Sequence, residues 1–384
     1  MFPAVAFDEK WLRQQAKVMA GCAPQILEKS LHALTLLGHL QEAGLPLTFR
    51  GGTSLLLHLP EIHRLSIDID IVSPVEGVEL EKILAEVAKK PPFTSHEESV
   101  RDGDRLPRRR HFKFFYPSCL GLQEYALPNV MLDVVAETEV IHTLESKPIT
   151  TGFLTAEREV KVQLPTLESL LADKLTAFAP KTTGVPLRRR DGSPGDVVQV
   201  VKQLFDVGML FGRAKNGAEV VATYQRAQAK EASYRGGTLS SEATLEDTMA
   251  ACLAAMPFKA KVQAKFDDYP LLKKGYTGMR GHLTRPFSEE DFRRFAAQTA
   301  ALAAHIRTGT PLDFAALIYA GTDAQNEAIK ANSFNNTPVD WLDGLKQINP
   351  AAYHYWMVTQ RLRGRGASTE PTGPSPAKES LPQK

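Results

Sequence analysis

The sequence predicts an α+β protein. A mixed or antiparallel sheet with packed helices fills residues 1–165, a helical region follows over 166–363, and a disordered tail over 364–384. Three observations carry this reading. Short segments that read as strands (47–50, 66–72, 111–116, 129–136 and 160–164) alternate with helical ones in the first 165 residues. From Thr166 onward the apolar spacing is helical. After Gly364 the composition turns to Pro, Ser, Gly and Thr, which bury too little to order a chain.

In chain order, residues 8–20 and 23–42 read as helices. In the second, Ile26, Leu31, Leu34, Leu37 and Leu40 recur at near-helical spacing, and Gly44 and Pro46 end it. Strand 47–50, short helix 53–59 and strand 66–72 follow. Residues 78–89 form a helix with Leu80, Ile83, Leu84 and Val87 on one face. Residues 91–110, rich in Pro, Gly and charge, read as a loop before strands 111–116, 129–136 and 160–164. The helix predicted over 166–178 has a stripe of Leu167, Leu170, Leu171, Leu175 and Phe178. Lys174 lies on that stripe, so it either snorkels to the edge or meets an anionic partner. A loop over 180–195 leads to a helix over 196–211. Further helices lie near 218–232, 242–256, 288–307, 311–320 and 323–332, and no solenoid repeat is present.

The chain of 384 residues has room for two domains or one domain with a large extension, and its 43% apolar and 23% charged content is globular. With 46 Lys+Arg against 44 Asp+Glu, net charge alone does not call for nucleic acid. Local basic runs do exist: Arg108, Arg109 and Arg110; Arg188, Arg189 and Arg190; and Arg361, Arg363 and Arg365. Each either binds a phosphate backbone or is a solvated loop. Cys22, Cys119 and Cys252 are odd in number and widely spaced, which argues against a disulfide framework or a zinc site and fits a reducing cytoplasm. Residues 1–17 are charged and lack the apolar core of a secretory signal. No apolar run approaches a membrane span. The expected location is the cytoplasm.

Two neighbouring segments carry the chemistry. Phe49-Arg50-Gly51-Gly52-Thr53-Ser54-Leu55 reads as a strand, a glycine turn and a helix start. Arg64-Leu65-Ser66-Ile67-Asp68-Ile69-Asp70 leads into a strand with both carboxylates on one face and isoleucines on the other. Two such carboxylates resist ionising together unless a cation sits between them. Hard oxygen donors suit Mg²⁺, which is usually held by one or two carboxylates plus substrate phosphates. Backbone N–H groups of the glycine turn, helped by the helix N-terminus, would cradle a triphosphate. Together these suggest nucleotidyl transfer. The ordinary alternative is a solvated pair at a strand end. Asp133, inside the apolar run Val130-Met131-Leu132 and Val134-Val135, is costly to bury unless paired. It is either a third site carboxylate, as ligand or base, or the partner of a nearby arginine. Asp206 has Lys202 four residues before it, the spacing of a plain helical ion pair. His58, His63 and His111 have no zinc-like spacing and read as loop or core residues.

Four blocks in this order resemble the AbiEii/AbiGii family of nucleotidyltransferase-like toxins, a branch of the polymerase-β-like nucleotidyltransferase superfamily. The first is the glycine turn with the Asp68/Asp70 strand. The second is Val130-Met131-Leu132-Asp133-Val134-Val135. The third is Leu164-Pro165-Thr166-Leu167-Glu168-Ser169-Leu170-Leu171-Ala172-Asp173-Lys174-Leu175-Thr176-Ala177-Phe178, and the fourth Lys202-Gln203-Leu204-Phe205-Asp206-Val207. They span roughly residues 25–215. Members often carry an aspartate where Gln203 stands, and the 180–195 insertion lengthens the gap between the third and fourth blocks.

The resemblance implies a polymerase-β-like core followed by a helical domain. It implies catalytic roles for Asp68, Asp70, Asp133, Lys174 and Asp206, metal ligation (Mg²⁺, or Mn²⁺) by Asp68, Asp70 and Asp133, and nucleotide contacts from Gly51, Gly52, Thr53, Ser54, Ser66 and Lys174. The implied reaction moves NMP from an NTP to RNA, foremost the tRNA 3′ end. The implied partner is a cognate antitoxin with a DNA-binding domain. A transferase acting on a protein hydroxyl or a small molecule is one alternative. A catalytically silent module that binds RNA or a partner protein is another, and intact Asp68, Asp70 and Lys174 argue against it.

Overall fold

The computed structural model describes residues 2–19, 22–59, 61, 63–99, 109–121, 127–137 and 139–366. Arg108, the side chain of Arg365 and the predicted tail from 367 lie outside the described residues. The first three residues of that tail instead close the last helix.

Helices α1 (Glu9–Val18) and α2 (Pro24–Glu42) open the fold, followed by strand β1 (Thr48–Arg50), a single-turn helix α3 (Leu55–His58), β2 (Asp68–Ser73) and α4 (Gly77–Ala88). Strands β3 (Ser95–Glu98), β4 (Arg109–Phe115), β5 (Asn129–Ala136), β6 (Leu144–Pro148) and β7 (Lys161–Pro165) complete one seven-stranded mixed sheet in the order β3-β4-β5-β2-β1-β7-β6. β2 runs parallel to β5 and β1 parallel to β7, while the other neighbours are antiparallel. The expected mixed sheet with a helical C-terminal region is the fold observed.

Two elements inside the sheet depart from expectation. β3 and the start of β4 fall within the loop expected over 91–110, and β6 had no strand signal. β3 and β6 are the two outer strands, with sequences SHEE and LESKP. An edge strand has one neighbour and is kept polar against further pairing, so it lacks the apolar alternation that marks a central strand.

The helical region comprises α5 (Leu167–Ala177), α6 (Val197–Phe211), α7 (Gly217–Ser233), α8 (Ser241–Ala255), α9 (Ala260–Gln263), α10 (Tyr269–Gly278), α11 (Glu289–Thr308), α12 (Phe314–Leu317), α13 (Asp323–Ala331), α14 (Leu345–Ile348) and α15 (Pro350–Gly366). α10 and α15 lie outside the individual helices expected in this region. In α10, Gly275 lowers helix propensity yet is needed: a Cβ there would stand 2.2 Å from the Val197 carbonyl oxygen of α6.

Two apolar cores result. One lies under the sheet face carrying Phe49, Ile69, Ile71, Phe112, Leu132 and Val134, covered by α2 through Leu27, Leu34 and Leu37. The other joins α5, α6, α8, α11 and α15. α3 belongs to both, since Leu56 enters the sheet core while Leu55 and Leu59 enter the helical core. The opposite face of the sheet, where Asp68 and Asp70 emerge, thus meets the start of the helical region.

Candidate active site

The turn over 51–54 is shaped by contacts that only glycine permits. Gly51 has φ +75°, and a Cβ there would fall 1.9 Å from Asp70 Oδ2. A Cβ on Gly52 would meet Arg64 Nη2 at 2.7 Å and Ser66 Oγ at 3.0 Å. The turn is therefore pressed against the Asp70 carboxylate on one side and against Arg64 and Ser66 on the other. Thr53 and Ser54 are fully buried, and their hydroxyls donate to the carbonyl oxygens of Asp68 and Gly51. Both hydroxyls are thus spent on the turn's own shape. α3 has only four residues, so its dipole adds little to the cradle expected from a helix N-terminus.

Strand register brings the carboxylates together. Asp70 lies directly beside Asp133 across the parallel β2–β5 pair, and Asp68 is two residues back on the same face. Burial, and next the Asp133 charge, push the Asp70 carboxyl up to about 6, against the pull of Lys174 and Arg109. Asp133 accepts a hydrogen bond from His111 Nδ1 at 2.7 Å. His111 is thus no loop or idle core residue, and the partner of Asp133 is a histidine rather than the arginine considered above. Among the described residues no three Asp, Glu, His or Cys side chains form a ready-made metal cage. The Asp70–Asp133 pair with Asp68 nearby fits a hard cation that takes its remaining ligands from phosphates and water, the habit of Mg²⁺.

The helical region supplies Asp206 and Lys174, and the segment before β2 supplies Arg64. Asp206 on α6 receives a two-pronged hydrogen bond from Arg64, with Nε–Oδ1 and Nη2–Oδ2 both 2.6 Å. Lys174 Nζ on α5 stands 3.2 Å from Asp206 Oδ2 and donates to Gln203 Oε1 at 3.1 Å. All three charged groups are buried, with side-chain exposures of 6% for Arg64, 1% for Asp206 and 8% for Lys174. Burial alone would push the Asp206 carboxyl up, but Arg64 and Lys174 outweigh it and hold it below its ordinary range. Lys174 on its apolar stripe therefore meets an anionic partner, and the partner of Asp206 is not Lys202 at i−4. Gln203 still offers an acceptor oxygen to Lys174, without a charge. Lys202 is buried too, and desolvation, with Arg64 adding to it, brings its ammonium down to about 8 against the attraction of Asp68.

A third cluster closes the site. Arg50, in register opposite Asp70, reaches Asp173 of α5 at 3.2 Å, and His142 Nε2 lies 3.3 Å from the same carboxylate. Burial would raise the Asp173 carboxyl, but Arg50 and His142 hold it well below the usual carboxylate range. Sequence reasoning left Arg50, Arg64, His111 and Asp173 without roles. Only His111 had a usable signal: it shares period two with Arg109 and Lys113, on the face opposite buried Phe112 and Phe114.

The sequence profile described as "Nucleotidyl transferase AbiEii toxin, Type IV TA system" matches residues 35–307. The chain belongs to the AbiEii family. It is accordingly a nucleotidyltransferase of a toxin–antitoxin class, and the family implies an antitoxin partner. The match runs well past residue 215, where the legible motifs end, to within α11. Among solved structures the chain is similar to MenT4, a nucleotidyltransferase toxin from Mycobacterium tuberculosis H37Rv, with 14% identity, a TM-score of 0.43, and coverage of 77% of this chain and 99% of that one. It is also similar to JHP933 from Helicobacter pylori, with 13% identity, a TM-score of 0.39, and coverage of 73% and 93% respectively. No curated protein gives a significant match. No helix among the described residues is long and apolar enough to cross a membrane.

Proposed function

We propose that this AbiEii-family chain is a cytoplasmic Mg²⁺-dependent toxin that transfers NMP from an NTP to RNA, foremost the 3′ end of tRNA, and so blocks translation. The observation that carries this reading is the in-register pair Asp70 and Asp133, with Asp68 on the same face, against a glycine turn pressed onto Asp70. Mg²⁺ bound there would neutralise charge on the transferring phosphoryl group and lower the pKa of the attacking hydroxyl. The chain's own groups do the rest. The 51–54 turn and Ser66 position the triphosphate, and Lys174, its Nζ 3.2 Å from buried Asp206, offers it a point charge. Asp133 would complete the cation site or act as base on the acceptor hydroxyl. That hydroxyl gives its proton to a site carboxylate and attacks the α-phosphorus, the bond from that phosphorus to the oxygen shared with the β-phosphate breaks, and pyrophosphate leaves.

Support for an RNA acceptor is narrower than the arginine count implied. Arg110 is pinned by Glu98 and Glu81 and lies over the Phe112 ring, Arg188 is held by Asp268, and Arg363 by Glu246. Arg109, Arg189, Arg190 and Arg361 remain exposed. Arg109 is also close enough to Asp70 to favour its charged form, which puts a cation at the rim of the site. An antitoxin carrying a DNA-binding domain is the partner this reading expects. The deciding experiment incubates the protein with each labelled NTP, Mg²⁺ and total RNA, and sizes the products at two salt concentrations. Labelled tRNA whose yield falls steeply with salt is the expected result. Label on protein or on small molecules, with none on RNA, overturns the RNA acceptor and favours a different hydroxyl for the same chemistry.

A further inference from the structure

A single row of side chains crosses four adjacent strands on the site face. Arg50 of β1 is in register with Asp70 of β2, Asp70 with Asp133 of β5, and Asp133 with His111 of β4. The two carboxylates lie in the middle, flanked at each end by a nitrogen-bearing side chain. Arg50 turns to Asp173 of α5, while His111 turns inward to Asp133. Of the two carboxylates, Asp133 is thus the one that its nitrogen-bearing neighbour in the row bonds directly.

We infer that His111 is a positioning residue for the cation site: it pins Oδ1 of Asp133 and reserves the other carboxylate oxygen for a divalent cation shared with Asp70. This rests on the reading of Asp68, Asp70 and Asp133 as a Mg²⁺ site. The physical need is plain. A strand aspartate has a free χ2 rotation that is broad and roughly two-fold, so its oxygens are not oriented by its own torsions. Beside Asp70 the carboxylate is repelled and turns away unless a donor on the far side holds it. His111 Nδ1 at 2.7 Å is such a donor. The imidazole is itself well anchored. Its strand is bonded to β5 along seven residue pairs, and the neighbouring Phe112 is buried in the sheet core. With Nδ1 committed to Asp133, His111 acts through that carboxylate and does not ligate the cation by this nitrogen. Groups that orient a ligating side chain in this way are worth about 10–100-fold in metal affinity.

The test uses the full chain and Mn²⁺ alone, with free Mn²⁺ followed by electron paramagnetic resonance and the apo variants' folding followed by circular dichroism and melting. Asp70→Asn serves as the control for the site itself. His111→Asn places a side-chain N–H near the Nδ1 position and is expected to bind Mn²⁺ within about threefold of wild type. His111→Ala and the bulkier His111→Leu lack a donor and are expected to bind about 10–100-fold more weakly. The Leu variant keeps the volume should the Ala variant unfold. Wild-type affinity in the Ala or Leu variant, with affinity lost in Asp70→Asn, overturns the role of His111 and leaves the metal site standing. Equal loss in the Asn and Leu variants overturns the donor role as well. Failure of the wild type to bind Mn²⁺, or unchanged binding in Asp70→Asn, removes the metal site and this inference with it.

Discussion

The sheet half and the helical half of the site solve opposite electrostatic problems. On β2 and β5, Asp70 and Asp133 face each other with like charge, and the Asp70 carboxyl is pushed up to about 6 by burial and by that neighbour. Where α5 and α6 meet the segment before β2, Asp206 sits between Arg64 and Lys174 and is held below its ordinary range. One cluster is left under-neutralised by the protein, and the other is neutralised within it. A charge that the protein leaves uncompensated calls for a ligand, whereas a compensated one belongs to the fold. Each comparison below removes one charge and asks which of the two behaviours follows.

The largest expected effect is on chemistry. Asp68→Ala or Asp70→Ala is expected to lower NMP transfer by about three orders of magnitude or more, roughly 4 kcal/mol in barrier. In Asp70→Ala the melting temperature stays the same or rises slightly, because a repelling carboxylate is gone. Transfer at the wild-type rate in both variants would remove the sheet half from the active site. Arg64→Met is expected to do the reverse in stability. It strands Asp206 with Lys174 alone, and breaking a buried pair from one side costs about 3–5 kcal/mol. Urea unfolding reads this directly, and a midpoint equal to wild type would mean that the pair is as replaceable as a surface one.

Lys174→Ala is the intermediate case, since Lys174 belongs to the compensated cluster yet is offered to the nucleotide. It leaves the Arg64–Asp206 pair intact, so its stability loss is expected to be smaller than that of Arg64→Met. Loss of a charge-assisted phosphate contact should lower kcat/KM for NTP by about 1.5–3 kcal/mol. Steady-state kinetics with an unchanged specificity constant would return Lys174 to a purely structural role.

The smallest effect is a pH slope. The folded Asp70 carboxyl titrates at about 6 against an ordinary 3.8, so the folded state binds its proton more tightly than the unfolded state does. Its contribution to stability is whole below the ordinary value and is lost as pH rises through about 6. Metal-free protein should therefore lose stability across that window, and Asp70→Asn should flatten the loss. Chemical denaturation in a chelator at a series of pH values measures it, and identical slopes in the two proteins would show that neither burial nor Asp133 raises the Asp70 carboxyl.

Legibility followed the same division. The central strands were readable because one face of each is buried and the other is not, so Ile69 and Ile71 alternate with Asp68 and Asp70. The outer strands β3 and β6 were not, because an edge carries little apolar signal. Lys174 announced itself as a charge on an apolar stripe, but nothing local named its partner, which lies on the next helix beyond the 180–195 loop. Arg64 stood in plain view before the Asp68 strand. Its bond to Asp206, 142 positions away, has no local trace.

The class of chemistry was already written in local residue patterns. The glycine turn, the two carboxylates at period two and the lysine on its stripe are local patterns, and local patterns are set by strand alternation and helix periodicity. Which charges meet was settled by how the elements pack. Register across β1, β2, β5 and β4 lined up Arg50, Asp70, Asp133 and His111. Helix packing carried Lys174 to Asp206 and Arg50 to Asp173. Pairing between distant segments depends on how whole elements stack, and a one-residue slip of β4 against β5 would have turned His111 into the core and left Asp133 without its partner.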